Sequence, residues 1–335
     1  MKIILDAMGG DASPKSQLEG ALRAVRELKI EVCLVGDSGL IEGHLAALGE
    51  TLPEGLSIVH ASEVITNDED PAFALRRKKD SSIVVAANML KRGEGDALVS
   101  TGSTGGVLCA GLLLVGRIPG VQRPALAPVY PTDKGFSVLI DCGANADCKP
   151  QYLAQFGVMG SVYANAILGK ENAKVALINN GAEAHKGSAL YKEAHTLLKQ
   201  APINFVGNME GREVMSGDAD VVVCDGFTGN VMLKVIEGVS STLLKNVKSA
   251  MMSSLKTKIG ALLAKDAFKS LKKKMDYSEH GGALLLGTKY PIIKGHGASD
   301  AKAVFSAIRQ AVRIVEADIV QKIAADIEKM TTEAE

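Results

Sequence analysis

Eight short runs of apolar and β-branched residues recur along the chain: KIILD, VCLVGD, LSIVHA, DALVST, FSVLID, KVALIN, INFVGN and DVVVCD. They are apolar on both faces, which predicts buried parallel strands. Between them lie stretches with helical spacing, at Ser16 to Leu28, Ser82 to Arg92, Leu153 to Leu168, Ala189 to Lys199 and Val231 to Met252. This alternation predicts an α/β fold built from βαβ crossovers, with helices on both faces of a mostly parallel sheet. No Pro/Ser linker, internal repeat or low-complexity stretch divides it, so residues 1–330 are expected to form one continuous domain with lobes. Ligands of open α/β sheets bind beyond the carboxyl ends of the strands, which makes the residues just after each run the places to look for chemistry.

Composition narrows the class. Hydrophobic residues make up 47% of the 335 residues and Gly numbers 35, with 4% aromatic residues and no Trp, which suits a layered α/β enzyme with many tight turns. Lys plus Arg balances Asp plus Glu at 38 each, so no global basic field points to nucleic acid. Five scattered cysteines without a CxxC pair argue against a zinc site or a disulfide framework and fit a reducing cytoplasm. The first strand is expected to begin at the second residue, so a signal peptide is not expected, and no apolar stretch reaches the roughly 18 to 20 residues that span a bilayer.

Four strand-end loops concentrate polar groups. Ser100-Thr101-Gly102-Ser103-Thr104-Gly105-Gly106 precedes the apolar run Val107 to Val115; free N–H groups at a helix start favour an anion, although a tight turn with an N-cap also fits. Neither GxxxxGK[ST] nor GxGxxG occurs, so neither a P-loop nor a nicotinamide fingerprint is present and no cofactor is implied. Asp141-Cys142-Gly143-Ala144-Asn145 leads to Lys149, a candidate anion ligand in a turn that could equally serve only its own backbone. Asn179-Asn180-Gly181-Ala182-Glu183-Ala184-His185-Lys186 supplies a second lysine, beside a histidine that is either an acid/base group or a surface residue. Asp225-Gly226-Phe227-Thr228-Gly229-Asn230 opens a helix and could position a substrate oxygen and its proton. The basic run Arg76-Arg77-Lys78-Lys79 is either a solvated face or a seat for an acidic partner or phosphate.

With DAMGGD near the start, STGSTGG, GVQRPALAP, DCGANADCKPQYLAQFGVMGSVYA, NFVGNMEGRE, DVVVCDGFTGNVMLK, SEHGGALLLG and HGASDAKAVFSAI, the chain resembles the PlsX family, acyl-acyl carrier protein:phosphate acyltransferase, along essentially its whole length. Ser103 stands where that family commonly has Asn, and Gly181-Ala182-Glu183-Ala184 where it often carries more acids. The resemblance implies a homodimeric three-layer α/β/α Rossmann-like protein, related in fold to phosphotransacetylases and isopropylmalate dehydrogenases. It also implies transfer of a fatty acyl group from acyl carrier protein to inorganic phosphate, with the acyl phosphate passing to a membrane glycerol-3-phosphate acyltransferase.

Phosphate is already an anionic nucleophile, so such a reaction needs no activated Ser or Cys. The expected catalytic residues are Lys186, Asn230, Asp225 and Lys149. Ser103, Thr104, Gly105, Asp6, Asp11, Asp141, Asn145, Thr228 and His296 are expected to bind phosphate or acyl substrate, with Asp6 and Asp11 orienting lysines or hydroxyls. Arg76, Arg77, Lys78 and Lys79 are the expected dock for acyl carrier protein. Cys142, in a site loop, offers a rival covalent route or is simply a small buried residue. A dehydrogenase of the isopropylmalate type lacks its metal-binding acid cluster and cofactor fingerprint here, and a non-catalytic membrane scaffold would not need polar residues at several strand ends.

From Leu255 to Asp276 the chain carries seven lysines against two aspartates, with Leu255, Ile259, Leu263, Ala267, Leu271 and Met275 every four residues and Leu262 and Phe268 beside them. An amphipathic helical excursion at about 250–276 is therefore expected, divisible at Gly260. Its apolar face, with Ile259, Leu262, Leu263, Phe268 and Leu271, either touches an anionic membrane or packs in a dimer interface or against the core. The chain is accordingly expected to be cytoplasmic and peripherally membrane-associated.

Overall fold

The computed structural model describes residues 1–274 and 281–332, without the side chains of 271–274 and 331–332. The strands are β1 (Lys2–Asp6), β2 (Glu31–Gly36), β3 (Leu56–His60), β4 (Ala97–Ser100), β5 (Ala125–Ala127), β6 (Val129–Thr132), β7 (Gly135–Ile140), β8 (Lys174–Asn179), β9 (Asn204–Glu210), β10 (Val221–Val223), β11 (Ala283–Leu286) and β12 (Ile292–Lys294). The helices are α1 (Lys15–Leu28), α2 (Ser38–Ala47), α3 (Pro71–Arg77), α4 (Ser82–Lys91), α5 (Thr104–Ala110), α6 (Pro150–Ile167), α7 (Ala189–Gln200), α8 (Gly226–Met251), α9 (Leu255–Leu263), α10 (Lys265–Lys274), α11 (Ala301–Glu316) and α12 (Ile319–Thr332).

All eight predicted runs are strands, but they fall in two sheets. The first has the order β3-β2-β1-β4-β12-β11-β5 and the second β6-β7-β10-β8-β9. Pairing is parallel except along β11, antiparallel to both its neighbours, and between β6 and β7. The strands missed by the pattern are β5, β6, β11 and β12, each of three or four residues. Such pieces are too short to show any period.

Burial on both faces explains the continuous apolar runs. On one face of the first sheet Ile3, Leu5, Val99 and Ile293 pack with Leu18 of α1 and Val304 and Ile308 of α11. On the other Ile4, Leu98 and Ile292 meet Val84 and Ala87 of α4 and Val107 of α5. The chain runs outward from β1 through β2 to β3 and then returns to lay β4 on the opposite side of β1. That reversal splits the β1 and β4 connections to opposite sides and opens a crevice at the carboxyl ends of these two strands.

Helix α8 departs from this layered plan. Of its 26 residues only Gly226 and Gly229 are buried, and Val231, Val235, Val239 and Leu243 stand exposed at four-residue spacing. Leu255, Ile259, Leu262 and Leu263 of α9 continue the exposed apolar set. The excursion thus begins within α8, ahead of residue 250. Its breaks fall at Met252–Ser254 and at Ala264, whereas Gly260 lies inside α9. Phe268 is half-buried in α10; the side chain of Leu271, and Met275 and Asp276 altogether, lie outside the described residues.

Candidate active site

At the crevice between β1 and β4 the loop Asp6 to Gly10 and the loop Ser100 to Ser103 touch backbone to backbone. A Cβ at Gly9 would stand 2.5 Å from the Gly102 nitrogen, so only glycine permits the contact. Gln17 of α1 ties the two loops: its Nε2 donates to the Gly9 carbonyl and to Thr101 Oγ1 (2.9 Å), and Thr101 Oγ1 donates to the same carbonyl. Ser100 Oγ donates to Asp6 Oδ2 at 2.7 Å and accepts from the Gly102 N–H at 3.1 Å. Asp6 thus orients a hydroxyl, and burial raises its carboxyl above the usual range against hydrogen bonds from Ser82, Ser100 and the loop backbone. A small pocket here is lined by Asp6, Ser82, Ser100, Gly102 and Ser103.

The remaining predicted residues of this loop set sit around it. Ser103 caps α5 by accepting from the Gly106 N–H at 3.3 Å, and Thr104 is exposed. Gly105 lies against the Pro71 ring. Asp11 is exposed and its N–H donates to the Gly297 carbonyl at 2.8 Å, which brings the segment of His296 alongside. His296 is itself exposed, its Nδ1 facing the Ala298 N–H at 3.1 Å.

The second cluster gathers at the carboxyl ends of β7, β8 and β10. Asp141 is fully buried and accepts from the N–H groups of Leu126 (2.8 Å), Ala144 (3.2 Å) and Asn145 (2.6 Å) and from Asn145 Nδ2 (3.0 Å). Asn145 Nδ2 also donates to the Pro124 carbonyl, and the Asn145 carbonyl accepts from the Gly226 N–H. Asp141 and Asn145 therefore build the loop and tie it to β5 of the first sheet. Gly229 is forced by the same packing, since a Cβ there would stand 1.9 Å from the Asp141 carbonyl oxygen.

Asp225 caps α8, accepting from the Thr228 N–H and Oγ1, both at 2.8 Å, and from the Tyr191 hydroxyl at 2.6 Å. These bonds leave Asp225 and Thr228 as positioning groups. Burial and the Asp225 carboxylate push the Tyr191 phenol well above its usual range, so it remains a donor. Tyr191 is not legible as a site residue because it lies within the first turn of α7, twelve positions past the end of β8.

Asn230 follows on the exposed side of the first turn of α8, beside Gly143, with no hydrogen-bond partner among the described residues. Lys186 crosses Gly181 with its aliphatic stem, and its carbonyl accepts from Asn179 Nδ2 at the end of β8. Lys149 is exposed at the start of α6 and His185 is exposed beside Lys186. Neither lysine ammonium has a carboxylate partner among the described residues, so both remain available to an anion. No group of three His, Cys, Asp or Glu among the described residues is placed to hold a metal ion.

The basic run divides. Arg76 and Arg77 face outward and Lys79 is exposed with its ammonium on the Leu75 carbonyl (3.4 Å), but the Lys78 ammonium is held more closely within the chain, donating to the Val64 carbonyl (2.7 Å) and to Glu69 (2.8 Å). Lys78 thus secures α3 to the preceding loop instead of standing free for a partner.

Residues 1–322 match the sequence model of the family described as "Fatty acid synthesis protein". A "Phosphate acyltransferase" of Alkaliphilus oremlandii is 49% identical over 98% of this chain and 98% of its own. The chain belongs to the phosphate acyltransferase family. A second such protein, from an Exiguobacterium species, is 50% identical over 96% of this chain and 98% of its own. In three dimensions the chain resembles a phosphotransacetylase from Streptococcus pyogenes with a TM-score of 0.66 at 17% identity, covering 96% of this chain and 94% of that one, a likeness of fold.

For an acyltransferase of this family, a cysteine in the site loop raises the covalent route. Cys142 is buried, and burial together with neighbouring Cys224 and Asp141 pushes its thiol well above the ordinary range. A thiol held protonated is a poor nucleophile. Cys142→Ser is expected to retain turnover within about threefold, measured by phosphate-dependent acyl transfer; a loss beyond a hundredfold in a folded variant would restore the acyl-cysteine route.

Proposed function

We propose that the enzyme transfers a fatty acyl group reversibly from the thioester of acyl carrier protein to inorganic phosphate, giving an acyl phosphate for phospholipid synthesis. Family membership supports the coarser statement, acyl transfer to phosphate within fatty acid and phospholipid synthesis. The observation that carries the finer one is the set of unpaired groups at the second cluster: Lys186, Lys149 and Asn230 stand free beside a framework whose carboxylates are already engaged.

In this reading a phosphate oxygen attacks the thioester carbon, the C–S bond breaks, and the phosphopantetheine thiolate leaves. A thiol with pKa near 8.5 needs little help to depart. Holding phosphate beside the acyl carbon could supply several of the roughly 7 to 11 kcal/mol available from orientation. Asn230 Nδ2 donates to the thioester oxygen as it becomes an oxyanion, while the lysines hold phosphate. Long-chain acyl carrier protein and phosphate, mixed with the enzyme and trapped with hydroxylamine, should give a phosphate-dependent hydroxamate. Its absence would overturn the reading.

The exposed Arg76, Arg77 and Lys79 suit the docking of an acidic carrier protein. The exposed apolar set on α9, flanked by lysines, suits contact with an anionic membrane, where a membrane glycerol-3-phosphate acyltransferase would take up the product; no helix among the described residues is long and apolar enough to cross one. Homodimerisation, implied by the family resemblance, belongs to the same proposal. Leu263→Glu with Phe268→Glu is expected to reduce binding to anionic vesicles at least about tenfold in sedimentation, each buried side chain contributing roughly 1.5 to 3 kcal/mol. Unchanged binding would exclude this face as the membrane contact.

A further inference from the structure

We infer that Lys294, at the carboxyl end of β12, is a phosphate-binding residue of the enzyme, set in one row with Ser100 and Asp6. This inference rests on the reading that inorganic phosphate is the acyl acceptor.

The row follows from register. On neighbouring parallel strands Asp6 pairs with Ser100 and Ser100 pairs with Lys294. Directly paired residues of parallel strands project to the same face, here the face of Ile4, Leu98 and Ile292 two residues earlier. Asp6 and Ser100 are joined through the 2.7 Å hydrogen bond and line the crevice pocket, and Lys294 extends that line on the far side of Ser100.

Among the described residues the charge balance around Lys294 is incomplete. Its ammonium donates to the adjoining Gly295 carbonyl and has no carboxylate within ion-pair distance among the described residues. Among the described residues, the charged groups that act on it are Lys234 of α8, which repels it, and Asp6 of β1; Ser100 of β4 and Ala283 of β11 flank it without charge. Lys234 already has Glu237 at 2.7 Å. Burial, with Lys234, lowers the Lys294 ammonium to about 8, while Asp6 acts in the opposite direction. A half-buried cation without a counter-ion is costly, and an anion placed between Lys294 and Lys234 relieves both desolvation and repulsion. Because Lys234 lies one turn beyond Asn230 on α8, an anion there adjoins the second cluster.

The test reads phosphate binding separately from turnover. Inorganic phosphate should raise the thermal midpoint of the wild-type protein, as a ligand selective for the folded state does. Lys294→Met should weaken phosphate binding at least tenfold by calorimetry, and Lys294→Arg should restore most of it. In the wild-type protein phosphate should also slow reductive methylation of Lys294 relative to the exposed Lys29 at the other end of the sheet, which guards against a Met variant that fails to fold. Wild-type phosphate affinity in folded Lys294→Met, or methylation of Lys294 unaffected by phosphate, would overturn the inference. Phosphate binding through Lys294 without hydroxamate formation would uphold it and overturn the acyl transfer proposed above.

Discussion

Asp141→Ala is expected to lose at least about 3 kcal/mol of stability, because the substitution strands the donors that converge on this carboxylate from Leu126, Ala144 and Asn145 in a buried setting. Urea unfolding followed by circular dichroism would show a lower midpoint at unchanged slope. The carboxylate also joins the loop after β7 to β5, so its removal should loosen the two sheets at their junction. A loss below about 1 kcal/mol would mean that the loop is held elsewhere. Burial raises the Asp141 carboxyl from the ordinary 3.8 to about 6, against the pull of its donors. The folded chain then keeps this proton longer than the unfolded chain, so its contribution to stability falls as pH rises from about 4 to 6. Asp141→Asn cannot titrate and should flatten that part of the stability profile.

The second large effect is on turnover. Asn230→Ala is expected to lower kcat about a hundredfold, on the scale of one lost oxyanion donor, and Lys186→Ala at least about tenfold. Both side chains lie at the surface, and Asn230 makes no hydrogen bond among the described residues, so circular dichroism and the urea midpoint should be unchanged. Asn230→Ala should act on kcat, whereas Lys186→Ala should also raise the KM for phosphate. Wild-type rates in both variants would remove the second cluster from the chemistry.

Much of this arrangement is legible in the sequence because doubly buried strands announce themselves: KIILD, DALVST and DVVVCD are apolar without alternation, and the polar loops after them form the two clusters. The division into two sheets is not legible, since it depends on Ala125–Ala127 and Ala283–Leu286, whose pairing spans more than 150 residues of chain. DAMGGD shows the same limit. Its glycines suggest room for a ligand and for neighbouring backbone, but that the space at Gly9 goes to the backbone of Gly102 is fixed only when β1 and β4 become neighbours. Lys294 is not legible in the sequence because Ile292–Lys294 is too short to show a strand pattern, although its position obeys the strand-end rule. Lys78 misled for the opposite reason: a run of charges does not reveal which member folds back onto Glu69.

Helix α8, capped by Asp225 in the second cluster, runs 26 residues from Gly226 to Met251 beside the exposed α9. At 1.5 Å per residue it is a rod of about 39 Å with one end anchored by the bonds of Asp225. A tilt of about 5° at that anchor would swing the far end by roughly 3 Å on the same rise per residue. Under the proposed function the lever also works in reverse: a load on α9 would reach Asn230 as a torque on the first turn, so whatever holds the outer end would set the aim of its amide at the thioester oxygen.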